Sequence, residues 1–195
     1  MTNIEPLRRF VTEMTGLADR EHGNEDAMIS GTRGLLKQLV STDDWLPEAF
    51  AQDGDTYRQY LLHCDPQQRF SVVSFVWGPG QTTPVHDHMV WGLIGMLRGA
   101  EIGQRFSADG DGPMIAGPEE TLQPGDIEVV SPTLGDVHKV SNALADRASI
   151  SIHVYGANIG AVSRHVFDPA TGAPKEFISG YSNDTVPNLW DLSGS

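Results

Sequence analysis

The sequence predicts a mainly β domain, a small barrel or sandwich behind a helical N-terminal segment, on three observations. Over residues 57–168, short apolar or alternating runs rich in Val, Ile and aromatic residues are separated by Gly, Pro, Asp and Asn clusters, which is the punctuation of strands and turns. No long helical pattern interrupts those runs, and a parallel α/β sheet would need such crossovers. A chain of 195 residues is long enough for one good-sized domain and short for two.

In chain order, Ile4, Leu7, Phe10, Val11 and Met14 recur at spacings of three and four, which predicts a helix over 4–18. Leu35, Leu36, Leu39 and Val40 mark a second helical stretch. Asp44 stands where it could cap a short third helix over 45–50, with Pro47 tolerated in the first turn. Strands are expected over 57–63, 70–77, 85–98, 101–106, 119–122, 127–131, 136–141, 149–155 and 163–168. The expected organisation is one domain over 1–195, with a helical segment over 1–54, a β-barrel over 55–170 and a tail over 171–195. Phe177, Tyr181 and Trp190 give that tail apolar material with which to fold back.

Charge narrows the partners. Thirteen Lys and Arg against 26 Asp and Glu leave a net of −13, so the surface repels phosphate backbones and anionic headgroups. Neither nucleic acid nor a membrane is an expected partner. With 39% hydrophobic and 20% charged residues, the composition is that of a globular protein rather than a disordered one. Cys64 is the lone cysteine, which rules out an internal disulfide and a cysteine-rich zinc site. The first 20 residues lack an unbroken apolar core, and no run approaches 18 apolar residues. The expectation is a cytoplasmic protein, monomeric or weakly self-associating.

Chemistry concentrates in the histidines. His86 and His88 stand two apart, and on a strand both rings would reach one interior point while Asp87 faces away. Two ordinary histidines at a strand edge would show the same spacing. Further on, Pro124-Gly125-Asp126 makes a turn before an apolar strand, Pro132 and Gly135 make another, and His138 follows. The ordered pair of stretches, Gly80-x5-His86-x-His88 and then Gly125 to His138, resembles the two motifs of the cupins. In those small β-barrels a His-x-His pair and a later His point inward at a metal. The resemblance lacks one element: the usual Glu after the second His is replaced by Gly92 and Leu93. Three neutral imidazoles would leave the ion's charge uncompensated and, at six-coordination, three positions open to an anionic ligand and dioxygen. Imidazole alone does not choose among Zn, Cu, Ni and Fe.

With that Glu absent, the chain resembles the cysteine dioxygenase family, the thiol dioxygenase branch of the cupins. The residues that carry the likeness are Trp77-Gly78-Pro79-Gly80, His86-Asp87-His88, His138, and Ser151-Ile152-His153-Val154-Tyr155. The resemblance implies one Fe(2+) per chain on His86, His88 and His138. It also implies a Ser151, His153 and Tyr155 relay beside the iron, and oxidation of a thiol to a sulfinic acid with both atoms of O2. Read from the residues alone, Ser151, His153 and Tyr155 alternate on one strand, so their polar groups can chain from hydroxyl to imidazole to phenol.

Two departures separate the chain from mammalian-type cysteine dioxygenases. No cysteine lies between Met89 and Gly95 to crosslink to Tyr155, and Gln59 stands where those enzymes carry an arginine for the substrate carboxylate. Gln59 together with Arg164 makes the chain similar to bacterial 3-mercaptopropionate dioxygenases. Arg164 is the expected carboxylate ligand, since a guanidinium grips a carboxylate with two charge-assisted bonds and Gln offers only a neutral donor. Arg58 competes, and strand alternation lets only one of Arg58 and Gln59 face the interior. The expected substrate is a small thiol carboxylate, with 3-mercaptopropionate ahead of cysteine and mercaptosuccinate. A metal-dependent cupin isomerase or hydrolase, or a non-enzymatic small-molecule-binding cupin, would use the same histidines. Trp77 and Trp91 are pocket-wall or core residues, His22, His63 and His165 have no ligand-like spacing, and Asp126 and Glu128 read as solvated carboxylates.

Overall fold

The first apolar stripe becomes α1 (Glu5–Glu21) in the computed structural model, which describes residues 3–108 and 112–192. The second helix, α2 (Glu25–Leu39), begins well before its apolar pattern becomes obvious. Asn24 caps it by accepting from Ala27 N–H, and Glu25 and Asp26 sit in the first turn, where the helix dipole favours them. The expected third helix shrinks to a single 3₁₀ turn, Glu48–Phe50, entered from Pro47 with no side-chain cap, so Asp44 does not act as one. Trp45 is fully buried just before it, its indole N–H donating to the Leu39 and Thr42 carbonyls. Those bonds tie the segment back to the end of α2.

Among the described residues, eleven strands form two antiparallel sheets. One holds β1 (Arg58–Cys64), β2 (Ser71–Trp77), β9 (Ser149–Tyr155), β4 (Gly92–Arg98) and β7 (Ile127–Val130), in that order. The other runs β11 (Pro174–Phe177), β10 (Arg164–Phe167), β3 (Val85–His86), β8 (His138–Asn142), β5 (Glu101–Ser107) and β6 (Ile115–Leu122). The mainly β architecture with an N-terminal helical segment is therefore the one observed.

The first sheet is covered on both faces, which is why β2 and β9 are buried at every position. Val72 and Val76 of β2 and Ile150, Ile152 and Val154 of β9 pack toward Leu7, Phe10, Met14 and Leu36 of the helices. The alternate residues, Phe75 and Trp77 of β2 and Tyr155 of β9, face the second sheet, where Val140 joins them. Period two thus assigns one face of β9 to structure and leaves Ser151, His153 and Tyr155 on the interior face.

The expected strand over 85–98 is broken. Val85 and His86 pair with β8 and β10 in the second sheet, whereas Gly92 onward pairs with β9 and β7 in the first. Between them the chain changes sheets, with Met89 in the left-handed region at φ 61°. His88 therefore sits in the connection between β3 and β4 and not on a strand. The tail runs beside β1: Ser182 N–H donates to Gln59 O (2.8 Å) and Leu61 N–H to Asn183 Oδ1 (2.8 Å). Its buried apolar anchor is Leu189; Trp190 is 65% exposed, against expectation. Among the described residues no helix is long and apolar enough to cross a membrane.

Candidate metal centre

His86 and His138 are directly opposed across the β3–β8 pair, so their side chains leave the same face of the second sheet. His88 reaches the same point from the β3–β4 connection because Asp136 holds it there. That carboxylate accepts the backbone N–H of His88 and of Met89, each at 2.9 Å, and shares a 2.8 Å bond with His88 Nδ1. The three rings form an equilateral triangle with centroids 4.9 Å apart. Each ring offers a nitrogen within 4.8 Å of the others, a grouping able to hold a metal ion.

The protonation pattern fits a cation. With Nδ1–H of His86 directed at Pro84 O (3.1 Å) and that of His88 at Asp136, the remaining nitrogen of each ring carries a lone pair. His88 Nε2 is buried without a partner, as is His138 Nδ1. Burial, aided by the neighbouring His88, pushes His86 down to about 3. Burial and the same ring neighbours hold His138 well below the usual histidine range. Neutral imidazoles crowded around one point, with lone pairs unspent, are what a divalent transition ion accepts. The group contains no carboxylate.

The missing Glu has a structural counterpart. A Cβ on Gly92 would come within 2.6 Å of the Tyr155 ring, so a carboxylate side chain and this tyrosine cannot both occupy the space. An acid serves the centre from one shell further out, through Asp136. Burial would raise the Asp136 carboxyl, but the bonds from His88 and Met89 outweigh it and draw the carboxyl below its normal value. Asp136→Asn should weaken metal binding about 10- to 100-fold, because one amide hydrogen face must then oppose a donor; chelator competition measures this.

The other sequence-predicted residues gather at one cavity of about 220 Å³. Its walls include Gln59, His86, His138, His153, Tyr155 and Arg164, along with Trp77. Ser151 lies directly behind: its Oγ is 2.8 Å from His153 Nε2, and His153 Nδ1 is 2.8 Å from Tyr155 OH. The Tyr155 ring stacks on His88 with centroids 5.4 Å apart. Burial lowers His153 and raises Tyr155, so the imidazole is neutral and the phenol keeps its proton.

Arg164 is 3% exposed, lies 4.7 Å over the Phe177 ring and donates Nη2–H to Ser179 Oγ at 2.5 Å. Gln59 is also buried and donates its amide to Gly180 O. Arg58 projects to the opposite side of β1, against Gly54, and is absent from the cavity wall. Trp91 packs outside it, against Gly156.

Three acids and one histidine carry more than the sequence reading assigned to them. Asp87 does not face solvent: it is buried, accepts His165 N–H at 2.7 Å and pairs with His165 Nδ1 at 2.8 Å, tying the ligand loop to β10. Glu128 is largely shielded, 3.4 Å from Arg105 Nη2 and 4.0 Å from His138 Nδ1. Asp126 is the solvated turn residue expected. No local signal marks Asp136, which is 48 residues from His88.

No protein-family model matches the chain. Solved structures with a similar fold include an uncharacterised Klebsiella pneumoniae protein with a double-stranded β-helix domain. It shows 19% identity over 58% of this chain and 89% of that one, at a TM-score of 0.46. A cupin superfamily protein of Desulfitobacterium hafniense shows 13% identity over 60% and 94%, at 0.43. A variant of Bacillus subtilis oxalate decarboxylase shows 17% over 55% and 28%, at 0.44.

Proposed function

We propose that this chain is a non-haem iron thiol dioxygenase that converts a small thiol carboxylate, foremost 3-mercaptopropionate, and O2 to the sulfinic acid. The observation that supports this best is a carboxylate-free triangle of imidazoles, two of which, His86 and His138, line one cavity with a buried arginine and a tyrosine held by its own relay. Ferrous iron, when bound there, would supply the electron chemistry by which both atoms of O2 join sulfur.

The chain's residues supply binding and proton placement. Arg164 offers a desolvated guanidinium to the substrate carboxylate. Among the described residues the cavity wall contains no Asp or Glu, so a substrate ammonium group would lose its water with no countercharge there, which favours an amine-free thiol over cysteine. Tyr155, whose phenol stays protonated, can direct its O–H toward the reacting oxygen and sulfur while His153 fixes its orientation.

Iron-loaded protein should consume O2 with 3-mercaptopropionate, forming one sulfinate per O2, and more slowly with cysteine, cysteamine and mercaptosuccinate. Absence of uptake with all four would overturn the reading. Tyr155→Phe should lower kcat about 100-fold with iron stoichiometry unchanged; full activity in that variant would remove the relay from the mechanism.

A further inference from the structure

Glu101 opens β5 in the second sheet, faces the interior and is 1% exposed. Among the described residues no cation pairs with it. Its Oε1 accepts from Ser149 Oγ at 3.3 Å, and its Oε2 is buried without a partner. Ser149 and Ser151 are both fully buried, two apart on the inner face of β9, and their hydroxyls draw the Glu101 carboxyl down against its burial. A buried acid thus stands at the end of the row Ser151, His153, Tyr155.

We propose that Glu101 is a positioning residue that sets the direction of the hydrogen bonds along that row, and so decides whether Tyr155 presents the cavity with a proton or a lone pair. The proposal rests on the role given to Tyr155 above. A neutral His153 has one ring proton, so the two ends of the row are coupled.

When Glu101 is a carboxylic acid, its O–H satisfies a serine oxygen and Ser151 is free to donate to His153 Nε2. The ring proton then sits on Nδ1 and is donated to the Tyr155 oxygen, which leaves the phenol O–H pointing into the cavity. When Glu101 is ionised, it draws in the Ser151 O–H instead. His153 must then carry its proton on Nε2, and Tyr155 O–H turns back to Nδ1.

Burial pushes the carboxyl up to about 8, the Ser151 and Ser149 hydroxyls draw it down, and Glu128 on β7 raises it. From β8, Asn142 is its register partner but commits its amide to Trp77 O and Arg147 O. On β6, Glu120 acts on Glu128 and not on Glu101. Within the cavity, His153 is the neighbouring titratable group, held neutral by burial. The acid form therefore prevails at neutral pH and gives way on the alkaline side.

The test is the His153 tautomer, followed by NMR in the full chain with 15N-labelled histidine, with and without the diamagnetic ion Zn(II). In the wild type the ring proton should move from Nδ1 to Nε2 with a midpoint near 8, matching the carboxyl. Glu101→Gln keeps an N–H donor in place of the acid O–H and should hold the proton on Nδ1 at every pH. Ser151→Ala should abolish the response while Glu101 still titrates, which covers the case of a Gln variant that fails to fold. The alkaline decline of thiol-dependent O2 uptake should likewise disappear in Glu101→Gln. A wild-type tautomer that ignores pH, or a Gln variant that still switches, overturns the proposal. If no thiol is oxidised but the tautomer switches as described, the dioxygenase reading fails and the role of Glu101 in directing the row stands.

Discussion

Replacing His138 with alanine should cost the protein its tight metal binding and, with it, its thiol-dependent O2 consumption. Multi-ligand sites bind their ion with roughly 10–16 kcal/mol, so deleting one ligand from a small set removes about 3–4 kcal/mol, or two to three powers of ten in affinity. His138 is the sharpest choice of the three. His86 and His88 each hold a second partner, Pro84 O and Asp136, whose loss would disturb the loop. Among the described residues His138 has only a distant Glu128 Oε1 at 4.0 Å as a side-chain polar partner. Removing it leaves the β3–β8 backbone pairing intact, so circular dichroism and melting should change little while metal analysis after dialysis falls toward zero. Unchanged iron retention in His138→Ala would show that the triangle is not the binding centre.

The contrast between His138 and Asp136 illustrates what a linear sequence discloses. His86, His88 and His138 announce themselves by spacing between turn signals, and Ser151, His153 and Tyr155 by a period of two. Both patterns survive because antiparallel strands convert short-range spacing into facing side chains. Asp136 has no such mark: it works through a side chain that crosses between loops, and its meaning depends on where the sheet change after His86 puts His88. The same sheet change is hidden over 85–98, since the run from Val85 to Arg98 carries enough apolar residues to pass for one strand. Glu101 and Glu128 were illegible for another reason. Charged residues on alternating strands are normally solvated, and only the closure of one sheet over the other shows that these two point inward.

Arg164 should govern substrate binding, and Arg164→Met provides the severe test. A guanidinium that is 3% exposed, with a serine hydroxyl as its one hydrogen-bond acceptor among the described residues and Nε left unpartnered there, has given up water without gaining a carboxylate from them. Asp87, Tyr57 and Tyr155 favour its charge only through space, against the burial that disfavours it. An incoming carboxylate would complete the pair, and removing one partner of a buried charge pair typically costs about 2–5 kcal/mol, so KM for 3-mercaptopropionate should rise by about one and a half to three and a half powers of ten. Arg164→Lys should fall between, as a lysine keeps the charge but not the two-pronged geometry. Arg58→Met, altering an arginine outside the cavity, should leave KM in place. The free protein should respond in the opposite sense. Exchanging an uncompensated buried charge for an apolar side chain of similar length is neutral or stabilising, by up to about 4 kcal/mol, so Arg164→Met should melt no lower than wild type while binding substrate far worse. If the variant instead loses stability and shows the same KM for 3-mercaptopropionate, Arg164 is a structural residue and the carboxylate is held elsewhere.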